Sequence, residues 1–87
     1  MLQDLKAKAD GYATDYKLQV WIEIDRLIDG NISDFLEATD PATLIALLRE
    51  IQNGASSIGN SSPDIQNLVR QLQTSTAETI RRVQTAQ

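Results

Sequence analysis

The sequence predicts an all-α protein: a small bundle of two long helices and one shorter central helix, with a short helical turn between them. Three observations carry this. Apolar residues recur three and four apart through most of the chain, as one buried helical face requires. No segment alternates apolar and polar residues with the period of two that marks a half-buried strand. Two helix-start signals stand further along the chain, Asp40-Pro41 and Ser62-Pro63, each pairing a side-chain acceptor for free backbone N–H groups with a proline whose missing N–H costs nothing there.

The first helix is expected to run from about residue 2 to 28. Leu2, Leu5, Ala9, Tyr12 and Tyr16 follow a 3, 4, 3, 4 spacing, the seam of a coiled coil. Beyond Tyr16 the stripe widens and turns: Val20, Trp21, Ile24, Leu27 and Ile28 cover one side, Leu18 and Ile22 another. A helix apolar on several sides meets more than one neighbour. Gly11 works against continuity, since an interior glycine costs about 1 kcal/mol relative to alanine. Asp10-Gly11 as a turn, with Thr14 capping a shorter helix, is therefore the alternative.

Asp29-Gly30-Asn31 is read as the end of that helix, with Gly30 or Asn31 free to take a left-handed conformation. Ser33 is read as the cap of a short helical turn over 33–38 that offers Phe35 and Leu36. Thr39 is pushed away from helical dihedrals before Asp40-Pro41, and the central helix follows over 41–53 with Leu44, Leu47, Leu48 and Ile51 on its buried face, Ile45 on the shoulder and Gly54 closing its last turn. Residues 54–62, rich in serine and glycine, read as a linker anchored by Ile58. The last helix is expected over 63–85 with a narrow stripe of Ile65, Leu68, Val69, Leu72, Ile80 and Val83, in which Thr76 and Thr79 thin the apolar seam.

At 1.5 Å per residue these helices would measure roughly 40, 20 and 35 Å. A short middle helix cannot cover two long ones, so apolar surface is expected to be left over and a homodimer is expected to bury it. On that reading the contact surface is Tyr12, Tyr16, Leu18, Trp21 and Ile22, aromatic and aliphatic anchors of the kind that dominate interfaces.

Composition narrows the chemistry. The 87 residues contain no cysteine and no histidine, which removes disulfides, thiolate nucleophiles and the commonest metal ligand and acid–base group. The first ten residues mix charge into their apolar positions and no run approaches the roughly 20 apolar residues of a membrane span. A cytoplasmic location without membrane contact is expected. The formal net charge is −4, and it is concentrated: from Glu23 to Glu50 there are seven acids against Arg26 and Arg49. Glu23, Asp25, Asp29, Asp34 and Glu37 form an acidic belt that would repel nucleic-acid phosphate and attract a basic protein surface.

Asp29-Gly30-Asn31-Ile32-Ser33 has the letters of a calcium-loop centre, with Asp25 at the first ligand position. Leu27 and Leu36 then stand where the third ligand and the bidentate glutamate belong, so calcium is not expected. A helix-turn-helix drawn from the central to the last helix has a connector too long for its tight turn and an acid, Asp64, at the start of its recognition helix. Gln66, Asn67, Arg70 and Gln71 could read bases there, and this DNA-binding regulator is the least favoured alternative. No nucleophile–base pair or phosphate cradle is visible, so neither catalysis nor a cofactor is expected.

The run from Asp34 to Leu48, fifteen residues of the 87, looks like a segment of small phage and prophage accessory proteins; the resemblance implies a phage-type interaction protein. The sequence thus points to a non-catalytic helical module for protein–protein interaction or assembly, the alternative being an acidic inhibitor or adaptor.

Overall fold

A computed structural model describes residues 2–58 and 62–86. Among the described residues there are five helices: α1 (Leu2–Ala9), α2 (Thr14–Gly30), α3 (Ile32–Ala38), α4 (Pro41–Ser56) and α5 (Pro63–Thr85). The all-helical class stands, and no strand occurs among the described residues.

The long first helix does not. It breaks at Asp10-Gly11, where α1 winds down through backbone bonds from Gly11 N to Lys8 O and from Tyr12 N to Ala9 O. Ala13 is extended, at φ −59° and ψ 152°, and its carbonyl accepts the first bond of α2 from Lys17 N. Thr14 is therefore the first helical residue and caps nothing. The break lets α1 fold back on α2, which encloses Ala9 and brings Leu2 and Leu5 against the core. Burying those side chains outweighs the helical bonds lost at a glycine that favoured the helix little to begin with.

Between α2 and α3 only Asn31 intervenes, at φ −138° and ψ 35°. Neither it nor any described glycine takes the left-handed conformation expected there; instead the Asn31 side chain donates Nδ2–H to Leu27 O, covering a carbonyl at the α2 end. Ser33 lies inside α3 and is not its cap. Asp40 does cap α4: its carboxylate accepts from Ala42 N at 3.2 Å and from the Thr43 hydroxyl at 3.4 Å. Ser62 likewise caps α5, accepting from Ile65 N at 3.2 Å.

The central helix runs three residues past its expected end, through Gly54 to Ser56. The expected linker is thus helical at 54–56 and turns at 57–58, and its positions 59–61 lie outside the described residues. Ser57 closes α4 by donating its hydroxyl to Asn53 O and Gly54 O.

Helix α5 lies along α4 on one side and α2 on the other, and α1 and α3 pack against α2. Their shared core holds Leu18, Ile24, Ile28, Leu48, Ile51, Leu72 and Val83, all enclosed. Thr76 and Thr79 sit in the same seam and are buried as fully as its leucines. Their hydroxyls donate to Leu72 O and Ser75 O of their own helix, so the seam does not thin there.

The chain exposes 5258 Å², close to the roughly 5,100 Å² that a folded monomer of 9.6 kDa presents. Its radius of gyration, 12.6 Å, is near the roughly 12 Å of a compact chain of this length. The overhang from which a dimer was expected does not form, because the expected long first helix is folded in two.

Candidate interaction surface

Among the described residues three large apolar side chains remain on the surface: Tyr12 at 46%, Tyr16 at 63% and Leu27 at 45% exposure. At about 100° per residue, Tyr16, Val20, Glu23 and Leu27 fall within about 60° of one another on α2. They form a row roughly 16 Å long on its outer face, with half-buried Val20 inside it and exposed Glu23 between Val20 and Leu27. Tyr12 lies in the turn that precedes α2.

The other residues assigned to the contact surface are elsewhere. Leu18, Trp21 and Ile22 are core residues, with Trp21 only 3% exposed. They occupy the inner side of α2, which α1, α4 and α5 cover, so they pack within the chain's own core and not on its surface. Trp21 fills the corner where α1, α2 and α4 meet. Lys6 and Lys17 place their ammonium groups 5.5 and 5.4 Å from the ring centroid, within the range of cation–π attraction. On the far side its Cη2 approaches Gly54 so closely that an added Cβ would lie 2.7 Å away. Gly54 is thus a space for an indole and not the end of a helix. The indole Nε1–H is buried without a hydrogen-bond partner.

The acidic belt is also redistributed. Glu23, Asp34 and Glu37 are exposed. Asp29 instead pairs across the helices with Arg82 of α5, which also approaches Glu78, and Arg81 pairs with Glu78 at 2.7 Å. Asp25 has left the surface: it is 3% exposed, and its Oδ1 has no hydrogen-bond partner. Burial pushes its carboxyl above the ordinary range, opposed by the neighbouring Thr79 hydroxyl, and of the charges nearby Asp29 adds to the rise while Arg26 and Arg82 counter it. These groups, with Thr74, Ser75 and Glu78, line a cavity of about 240 Å³ between α2 and α5. Three carboxylates meet two guanidinium groups there, so the cavity carries little net charge, and no cluster of carboxylates among the described residues is placed to hold a metal ion.

A second groove, about 300 Å³, lies between α1, α3 and α4 and is lined by Leu2, Phe35, Leu44 and Leu47 among others. No helix among the described residues is long and apolar enough to cross a membrane.

Leu27 was legible as a surface residue: with Tyr16, Val20 and Glu23 it keeps a 4, 3, 4 spacing of its own. Its apolarity placed it with the core stripe instead. The closeness of Gly54 to Trp21 had no such signal, since 33 residues separate them. Comparison with family models, curated proteins and solved structures finds no match to this chain, so the phage-type resemblance rests on the Asp34–Leu48 run alone.

Proposed function

We propose that this protein is a non-catalytic helical interaction module whose contact surface is the outer row of α2. One observation carries the reading: a fold that encloses Leu18, Trp21, Ile24 and Ile28 of this helix leaves Tyr16 and Leu27 of the same helix in water. Covering a leucine is worth about 1.5–3 kcal/mol, and a tyrosine presents a rigid amphipathic anchor with few rotamers to lose. With the chain's own core complete without them, these side chains are available to another protein.

The test is site-specific photo-crosslinking in native cell extract. A benzophenone side chain in place of Tyr16 is expected to give a discrete protein adduct that the same group in place of Gln84, exposed on α5, does not give. The adduct should be lost with Leu27→Ser. Equal labelling from both positions, or none from position 16, would reject the outer face of α2 as the contact surface.

A further inference from the structure

We infer that the outer row of α2 is built for a basic amphipathic helix of a different protein and not for a second copy of this chain. The inference rests on the proposed contact surface and adds the chemistry of its occupant. Tyr16, Val20 and Leu27 follow the spacing at which one helix packs on another, but Glu23 interrupts them on the same face. It is exposed, and no cation among the described residues lies within ion-pair distance of it.

Self-pairing serves that carboxylate badly in either direction. A parallel pair sets Glu23 against Glu23 of the second copy, and like charges in contact repel. The antiparallel pair with the best apolar overlap sets Tyr16 against Leu27. It then presses Glu23 onto Val20 and leaves the two carboxylates three residues apart along the axis, about 4.5 Å. In neither arrangement does the row position opposite Glu23 carry a base, Arg26 lies off the row and forms no ion pair with it, and an unpaired carboxylate resists desolvation at a contact. A foreign helix with apolar residues three and four apart and a lysine or arginine facing Glu23 meets every requirement. The formal charge of −4 and the exposed Asp34 and Glu37 favour its approach over distance.

The experiment uses the full chain and two labelled helical peptides of about three heptads, both with leucine at the seam and flanked by either lysine or glutamate. Binding is read by fluorescence anisotropy and self-association by sedimentation. The wild-type protein is expected to remain monomeric and to bind the lysine peptide at least about tenfold more tightly than the glutamate peptide. Leu27→Ser should weaken that binding by a similar factor. Glu50→Gln, which removes the same charge off the row, should leave it within about twofold. Glu23→Lys should reverse the peptide preference, and Glu23→Leu should make the protein self-associate. Circular dichroism of each variant checks that the helices persist.

Binding that ignores Leu27→Ser and Glu23→Lys would be general attraction to an acidic chain and would overturn the inference. A wild-type dimer dispersed by Leu27→Ser would also overturn it, while leaving the outer face of α2 as a contact surface. Loss of the crosslink at position 16 would instead remove the surface itself.

Discussion

Replacing Gly54 by alanine sets two effects of similar size against each other, and the structure decides between them. Gly54 lies within α4, where alanine is favoured over glycine by about 1 kcal/mol in a helix interior and by less near an end. The new methyl would stand 2.7 Å from Cη2, 3.2 Å from Cζ3 and 3.6 Å from Cζ2 of Trp21. The ring cannot swing aside freely, because it is buried, only 3% exposed, among the core side chains. Overpacking of this kind costs about 1–3 kcal/mol. Gly54→Ala should therefore lower stability by about 1 kcal/mol net, which for a domain of this size moves the melting temperature down by about 4–8 °C. Urea unfolding followed by the emission of Trp21, the sole tryptophan, measures the change at the residue concerned. Gly30→Ala is the control. It is also helical, but apart from its chain neighbours and its own helix backbone nothing lies within 4 Å of an added Cβ, and it should stabilise by up to about 1 kcal/mol. If Gly54→Ala stabilised the protein as Gly30→Ala does, the indole would not lie against α4 and the corner packing described above would be wrong.

The carboxyl of Asp25 is raised by burial above its ordinary 3.8, so its contribution to stability is full below that value and is lost as the pH rises through the higher folded-state value. Asp25→Asn should accordingly stabilise the protein at pH 7 and lose that advantage below the ordinary aspartate range; urea titrations above and below that range compare them. Asp40→Ala removes the acceptor for Ala42 N and should cost about 1 kcal/mol in chemical denaturation. Arg82→Ala breaks the pair with Asp29 at a site half open to water, and thermal unfolding should register only a small loss because solvent screens the pair.

Local rules read the later part of the chain well. Asp40-Pro41 and Ser62-Pro63 are signals complete within four residues, and both caps form with the expected donors. The first half turned on a contest that local rules do not decide. Tyr12 and Tyr16 continue a heptad spacing across Gly11, yet that spacing measures compatibility with a helix and not the gain from folding α1 back onto α2. The break at Gly11 in turn removed the overhang from which a dimer was inferred. Gly54 carries the same lesson at one residue: as a sequence letter it closes a helix, and in space it admits a ring from a residue 33 positions earlier. The acidic belt is only partly on the surface because charge counted along the chain takes no account of direction: α2 turns Asp25 inward while Glu23, Asp34 and Glu37 face water. The threonines of α5 looked polar by composition, but each spends its hydroxyl on its own helix and packs as an aliphatic residue would.

The most direct test of where this protein meets others is an amide chemical-shift map of the isotope-labelled chain during titration with the lysine-flanked helical peptide. The expected result is a set of perturbations along α2 centred on Tyr16, Val20, Glu23 and Leu27, with α5 and the groove between α1, α3 and α4 unmoved. Perturbations centred on Leu2, Phe35 and Leu47, or spread evenly over every acidic residue, would contradict it.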